Sequence, residues 1–231
     1  MTIKLYVNII YYITKNNLNN MQLSAKQSRF IDNIVSNEEL ERLDIFHHLI
    51  LRWNKKINLI SRQEEQYIWS KHIYDSIKLL YYIKNKNINL IDLGSGGGFP
   101  GIILSICGVK NVTLVESNNK KASFLMEASE ISPNKITIYN DRVENLNLAN
   151  DYDVVSSRAM AELDLLFKYS RPLINENTKL IFLKGNNVEN EIQKAEKSWL
   201  FNYIIHKDLD SNENESKVII VDKLNYKNQD K

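Results

Sequence analysis

The feature that most constrains the fold of this chain is an alternation of strand-like and helix-like segments that begins near residue 88. Short apolar runs with the length and composition of strands occupy residues 89–93, 111–116, 135–139, 152–157 and 179–184. Amphipathic segments separate most of them. This alternation predicts a doubly wound α/β fold, with a parallel sheet and helices on both of its faces. Two further apolar runs, 201–207 and 217–223, flank a polar turn and predict a C-terminal antiparallel hairpin.

The part of the chain before the sheet has a helical pattern. Two capping-box sequences, Ser36 with Glu39 and Ser61 with Glu64, each precede apolar residues at helical spacing. We therefore predict a helical cap of about three helices over residues 22–86, followed by a core over residues 87–231. Residues 1–21 are expected to form a loose extension, and residues 1–20 to be dispensable.

Composition and charge restrict the setting of the protein. The single cysteine, Cys107, cannot form an intrachain disulfide, which favours a reducing, cytoplasmic environment. The apolar stretch near the N-terminus is too short to span a bilayer, so no membrane role is expected. Because the net charge is only +2, any binding of nucleic acid must depend on local basic patches.

Glycine is concentrated at one point of the chain. Five of the seven glycines lie in residues 94–101, between the first strand-like run and a helix-like run. In an open α/β sheet this turn lies at the carboxyl edge of the strands, where ligands bind, and glycine lets the backbone turn tightly and approach a ligand closely. Gly94, Gly96 and Gly98 are the candidates for that role.

The glycine pattern alone leaves the ligand open. Residues 96–101 also satisfy the dinucleotide pattern G-x-G-x-x-G. Glu116, which ends the second strand-like run, is able to accept hydrogen bonds from the ribose of either a dinucleotide or S-adenosylmethionine (SAM). Asp92 favours SAM, because a carboxylate there is expected to face the cationic end of SAM and would repel a pyrophosphate.

The chain resembles the RsmG (GidB) family of bacterial 16S rRNA guanine-N7 methyltransferases over roughly residues 22–223. The stretches that carry the resemblance, in the family's order, are RWNKKINLIS, KHIYDSI, IDLGSGGGFPGIILSI, VESNNKKASFL, DRVENL, SSRAMAELDLL and LKG. The resemblance implies a class I SAM-dependent methyltransferase (Rossmann-like) fold, SAM as cofactor, and methyl transfer at position 527 in the 530 loop. Its implied cofactor contacts are Gly94, Phe99, Val143, Glu144 and Arg158.

The implied reaction sets modest chemical demands on the protein. Guanine N7 carries a lone pair and no proton, so no catalytic base is needed, and positioning of the two reactants supplies the catalysis. The residues expected to support the reaction are Arg158, Arg142 and Lys120, and those expected to bind RNA phosphates are Lys55, Lys121 and Lys184. One departure from the family is Ser216, where an arginine is usual; Lys217 is a candidate replacement.

Several alternatives stay open at this point. A nicotinamide-dependent oxidoreductase is the second hypothesis, although the Tyr82–Lys86 pair that matches a hydride-transfer motif lies in the predicted cap. A non-catalytic RNA-binding module is the third. The sequence does not distinguish free 16S rRNA from the small ribosomal subunit as partner. It leaves the oligomeric state open, with a monomer slightly favoured.

Overall fold

A seven-stranded sheet forms the centre of the molecule. The computed structural model describes residues 23–148, 151–206 and 216–227. In chain order the strands are β1 (Asn89–Leu93), β2 (Asn111–Val115), β3 (Lys135–Tyr139), β4 (Val154–Arg158), β5 (Lys179–Lys184), β6 (Trp199–His206) and β7 (Lys217–Tyr226). Their order in the sheet is β3-β2-β1-β4-β5-β7-β6.

The direction of the strands confirms the predicted architecture. Strands β1 to β5 are parallel, with β1 pairing with both β2 and β4. Strand β7 runs antiparallel to β5 and to β6. The chain therefore reverses its order at β1, between β2 and β4, which is the switch point at which doubly wound sheets bind ligands. The turn of the hairpin, residues 207–215, lies outside the described residues.

Seven α-helices can be named in the described ranges. They are α1 (Ala25–Ile34), α2 (Asn37–Asn54), α3 (Tyr74–Lys78), α4 (Gly101–Ile106), α5 (Asn119–Ser129), α6 (Leu163–Ser170) and α7 (Val188–Ala195). Short 3₁₀ turns occupy Arg62–Tyr67, Leu79–Tyr81, Val143–Asn145 and Arg171–Leu173, and a π turn occupies Ile68–Ile73. Within these ranges no helix is both long enough and apolar enough to cross a membrane.

The two predicted capping boxes have different outcomes. Ser36 and Glu39 exchange both reciprocal hydrogen bonds at the start of α2, which confirms the first. The Ser61 side chain makes no capping bond, and its hydroxyl donates instead to the Glu64 carboxylate at 2.9 Å, so the second prediction is wrong. The segment after Ser61 starts as a 3₁₀ turn and widens into the π turn before α3, so it is not one regular helix. Ser24 and Gln27 form a further capping box at α1.

The helices of residues 23–86 share their apolar core with one face of the sheet. Phe46 of α2 packs edge-on against Phe99 and also contacts Phe124 of α5, with ring centroids 5.7 and 6.2 Å apart. Trp69 and Cys107 are buried in the same core. Helices α6 and α7 cover the opposite face. The predicted division near residue 86 stays a prediction about folding units; residues 1–21 lie outside the described residues.

Candidate active site

A cleft of about 1050 Å³ opens at the carboxyl ends of the parallel strands. Each of β1, β2, β3 and β4 contributes the loop that follows it, and the helical part of the chain supplies the facing wall. The lining includes Gly94–Gly97, Phe99, Val115–Ser117, Lys121, Asp141–Glu144, Arg158–Met160 and Tyr169 from the sheet side, and Asn58–Arg62, Glu64 and His72 from the facing wall. The switch point of the sheet thus holds a pocket of the size that binds cofactors.

The glycines of the loop after β1 serve two different needs. Gly94, Gly96 and Gly98 have φ angles of 67°, 53° and 83°, a region that L side chains rarely adopt. A Cβ on Gly96 would meet only the Gly94 carbonyl, at 3.7 Å, so a side chain there would project into the cleft. Gly101 has an ordinary φ, but a Cβ there would lie 2.3 Å from Leu114, so its lack of a side chain lets α4 lie against β2.

Glu116 ties the glycine loop to the next strand. Its Oε2 accepts a hydrogen bond from the Gly96 amide at 2.9 Å, and its Oε1 accepts one from the Asn118 amide at 2.8 Å. Asn118 in turn caps α5 through the amides of Lys120 and Lys121. Each carboxylate oxygen has a second lone pair, so the group is able to accept a further hydrogen bond from a ligand hydroxyl in the cleft.

Asp92 does not face the cleft, and this corrects the expectation that it meets the cationic end of SAM. The side chain is fully buried beneath the loop. Its Oδ1 accepts a hydrogen bond from the Ser156 hydroxyl at 2.9 Å, and its Oδ2 accepts one from the Gly101 amide at 3.3 Å. Burial raises the pKa of Asp92 to about 7, although these hydrogen bonds oppose the shift. Asp92 joins β1, β4 and α4, and it gives no argument for one cofactor over another.

Arg158 crosses from the end of β4 to the facing wall. Its Nη1 donates to the carbonyl oxygens of Lys71 and His72 at 3.5 and 3.4 Å, and its Nη2 lies 3.9 Å from an Asp75 oxygen. All three contacts are long for a charged donor. Burial lowers the pKa of Arg158, whereas the Asp75 and Glu64 carboxylates raise it. The guanidinium is therefore mostly buried yet loosely held.

His72 and Phe99 form the floor beside Arg158. Their rings stack with centroids 5.0 Å apart, and the Arg158 guanidinium lies 5.8 Å from the Phe99 ring. Phe99 is only 5% exposed, with the Phe46 and His72 rings against it, so it leaves little surface for stacking a base. Burial, followed by the charges of Arg158 and Lys71, lowers the pKa of His72 to about 3.

Asp75, the carboxylate nearest to the Arg158 guanidinium, also pairs with Lys78, and the Asp75 oxygen lies 2.8 Å from Lys78 Nζ.

The predicted basic residues divide into two groups. Arg142 and Lys121 line the cleft, as does Glu144, which accepts a hydrogen bond from Tyr169 at 2.8 Å. Lys55 and Lys120 are exposed and do not line it.

Lys184 is not a free phosphate-binding side chain, contrary to its predicted role. It is 8% exposed, lies 2.5 Å from the Glu191 carboxylate and donates to the Ala161 carbonyl at 2.7 Å. It lines a smaller depression of about 370 Å³ that also includes Arg158 and Ser216. Lys217 pairs with Glu189 at 2.8 Å, so its charge already has a partner.

Several residues that line the cleft were not predicted from the sequence to belong to the site. Asp141 lies in the short loop between β3 and the 3₁₀ turn Val143–Asn145. Hydrogen bonds from the Asn145 side chain and the Arg142 amide lower the pKa of the Asp141 carboxyl. Its place near the end of a predicted strand is a signal that could have identified it. Arg62 and Glu64 carry no such signal, because they approach the cleft only through tertiary folding.

Comparison with known proteins gives a consistent family and fold. Residues 39–220 match the family model GidB, described as rRNA small subunit methyltransferase G. The ribosomal RNA small subunit methyltransferase G of Rickettsia typhi is 45% identical over 175 residues, covering 76% of this chain and 90% of that protein.

Two solved structures share the fold at low identity. The tRNA (m1A58) methyltransferase TrmI of Aquifex aeolicus aligns with a TM-score of 0.52 and 13% identity, covering 65% of this chain and 68% of that chain. TYW2 of M. jannaschii, in complex with AdoMet, aligns with a TM-score of 0.51 and 17% identity, covering 68% of this chain and 76% of that chain. These similarities confirm the Rossmann-like methyltransferase sheet.

Proposed function

Because the chain belongs to the GidB family of SAM-dependent small-subunit rRNA methyltransferases, we propose that it methylates N7 of a guanine in 16S rRNA, at position 527 in the 530 loop. The observation that carries the proposal is the cleft at the switch point. It combines a glycine loop open to a ligand, a carboxylate at the end of β2 and a buried guanidinium at the end of β4. The same proposal assigns the protein to the cytoplasm, with its ribosomal substrate.

The residues of the cleft fit SAM as cofactor. Bound SAM supplies an electrophilic methyl group on a sulfonium sulfur. We assign Gly96 to the close approach of the backbone, since a Cβ there would meet only the Gly94 carbonyl, and Gly94 to the cofactor as a lining residue of the same turn. We assign Glu116 to the ribose hydroxyls, since its oxygens retain acceptor capacity. Phe99, Val143 and Glu144 are assigned to the cofactor's surroundings, since all three line the cleft. Asp92 supports this arrangement from below through the Gly101 amide.

The proposed chemistry needs orientation more than acid–base catalysis. Guanine N7 attacks through a lone pair, so no group has to remove a proton first. His72, with its pKa held near 3, is neutral at physiological pH and adds no charge to the floor. Arg158 supplies the cation at the point where β4 meets the facing wall, and Arg142 and Lys121 line the remainder of the opening. We assign these three cations to RNA phosphates and to alignment of the reactants.

A direct test uses small ribosomal subunits that lack the modification. Incubated with the protein and tritiated SAM, they are expected to gain one methyl group per 16S rRNA. Reduction and aniline cleavage, which cut the chain at N7-methylguanosine, should then map it to the 530 loop. Label at another atom or another position contradicts the proposal. The Arg158→Ala variant should keep its melting temperature and lose most single-turnover transfer; Arg171→Ala, outside the cleft, is the matched control.

Hydride transfer has little support from the cleft. Tyr82 and Lys86, the pair that matches a hydride-transfer spacing, do not line it. The Tyr82 ring lies against His206, with centroids 4.6 Å apart, and the Lys86 carbonyl accepts from the Lys110 amide at 2.9 Å. Calorimetric titration with SAM and with NAD distinguishes the two functions, and we expect heat of binding for SAM only.

A further inference from the structure

Glu64 occupies the cleft wall although its sequence context resembles a helix cap. The Ser61 side chain makes no capping bond, and its hydroxyl donates to Glu64 Oε2 at 2.9 Å. This hydrogen bond holds the Glu64 carboxylate beside the Ser61 side chain. The Glu64 side chain lines the cleft and is 40% exposed. The Glu64 carboxylate is therefore partly accessible to a ligand in the cleft.

His72, the neighbour of Glu64, is an independent sign that this wall binds something. The imidazole is nine-tenths buried, and neither ring nitrogen has a hydrogen-bond partner within the described residues. Buried polar atoms are nearly always paired in folded proteins, so two unpaired nitrogens on one ring require a reason. Nε2 lies 3.9 Å from Glu64 Oε1, beyond hydrogen-bonding distance but close enough for a small side-chain rotation to join them.

The wall that carries Glu64 adjoins the glycine loop at one end. The Leu59 carbonyl lies 3.6 Å from where a Cβ on Gly97 would be, so the segment that leads to Glu64 begins beside that loop. Glu64 is also near enough to Arg158 to raise the pKa of its guanidinium. A group held between this wall and the glycine loop would thus lie near the Glu64 carboxylate and the Arg158 guanidinium.

We propose that Glu64 selects guanine at the methylation site, with its carboxylate accepting hydrogen bonds from N1–H and from the exocyclic amino group of the base. This inference rests on the proposed function and adds the residue that recognises the base. His72 is a positioning residue, since its buried imidazole can hold the carboxylate by donating to Oε1. Guanine offers two adjacent donors on its Watson–Crick edge, which matches the two acceptor oxygens of a carboxylate.

The pairing is both selective and compatible with the reaction. Adenine presents an acceptor at N1, which a carboxylate repels, so the same contact that binds guanine excludes adenine. N7 lies on a different edge of the purine and stays free for the methyl group. A contact of this kind is expected to change the rate of transfer by about 5- to 150-fold.

The test uses reconstituted small subunits whose 16S rRNA carries either guanosine or inosine at the target position. Inosine keeps N7, O6 and N1–H but lacks the amino group. Wild-type protein should transfer methyl groups to inosine at least 5-fold more slowly than to guanosine. Glu64→Gln should bind SAM normally, transfer slowly to guanosine and show a smaller further loss with inosine than the wild type, because the amide keeps only one acceptor oxygen. His72→Asn, which removes the imidazole, should reduce but not abolish the preference of the wild type for guanosine.

The matched control is Glu65→Gln, because Glu65 accepts a hydrogen bond from Asn54 at 2.7 Å and does not line the cleft. It should retain the wild-type preference for guanosine. The inference is overturned if Glu64→Gln transfers at the wild-type rate, or if its transfer to inosine is slowed as much as that of the wild type. It is also overturned if wild-type protein transfers to inosine and guanosine at the same rate. This last result does not depend on the folding of any variant. These outcomes leave N7 methylation intact. Methylation at N1 or at the amino group would instead overturn the proposed function together with the inference.

Discussion

At the scale of single residues, a substitution at Gly96 tests two effects separately: strain in the backbone and loss of the space that a ligand needs. Its φ of 53° is left-handed, and its missing side chain would point into the cleft. Asparagine tolerates left-handed backbone better than other residues with side chains. Gly96→Asn should therefore fold with a melting temperature near that of the wild type, yet bind SAM at least 10-fold more weakly in calorimetric titration. Unchanged affinity in the folded variant would mean that the cofactor lies elsewhere.

Asp92 makes stability depend on pH in a direction that is unusual for a carboxylate. Its pKa is raised from 3.8 to about 7, so the folded protein keeps a proton that the unfolded chain releases. The stability from this group is fully present below about pH 4 and is lost as the pH rises through 7. Asparagine cannot ionise but can bond to both Ser156 and Gly101.

The Asp92→Asn variant isolates this effect. Its free energy of unfolding minus that of the wild type should increase between pH 4 and pH 7, by on the order of 4 kcal/mol at most. His72, whose depressed pKa causes stability to fall below about pH 6.5, is present in both proteins and cancels in the difference. Urea denaturation at several pH values provides the measurement. A difference that does not vary with pH would show that Asp92 is ionised throughout.

At the scale of elements, the end of β5 is fixed to α7 by a buried ion pair. Lys184 and Glu191 lie 2.5 Å apart, and Glu191 also accepts from the Leu163 amide at the start of α6. Removing the lysine leaves a buried carboxylate without its cation. Lys184→Met should therefore cost about 3–5 kcal/mol in urea denaturation.

Lys121→Met is the matched comparison, since Lys121 lines the cleft at the start of α5. It should change stability by less than about 0.5 kcal/mol. It should also reduce the salt dependence of RNA binding by about one phosphate contact in filter-binding assays. Normal stability of Lys184→Met together with weakened RNA binding would restore the role first expected for Lys184.

The elements differ in how far the sequence predicts them. Strands β1 to β5 agree with prediction to within two residues, because continuous apolar runs between polar segments have few other buried arrangements. The segment after Ser61 departs from the predicted helix. The Ser61 hydroxyl donates to Glu64 and makes no capping bond, and both side chains line the cleft. Asp92 shows the same limit within the site: a strand-end position indicates the ligand edge, but not whether the side chain lies above the loop or beneath it.

At the scale of the whole molecule, the helical part and the sheet depend on one core. Ile31, Phe46 and Phe124 belong to the same buried cluster, which spans the predicted boundary near residue 86. A chain that begins at residue 87 would expose α4 and α5 to water. We expect it to show no cooperative thermal transition, whereas a chain that begins at Met21 should melt like the full protein and retain methyl transfer. Cooperative melting of the shorter fragment would establish residues 87–231 as an independent folding unit.

The cleft is formed jointly by the sheet and the facing wall. Ligand affinity is therefore linked to the thermal stability of the protein. A ligand that touches both sides binds only the folded, docked arrangement, so at 100 times its dissociation constant it adds about 2.7 kcal/mol to the free energy of unfolding. Trp69, 2% exposed, is buried in the core that the helical part shares with the sheet, and Trp199, 3% exposed, is buried on the other face, so tryptophan emission reports unfolding of both. Saturating SAM should therefore raise the temperature at which buried tryptophan fluorescence is lost. The protein's own tryptophan emission thus reports whether the cofactor is bound.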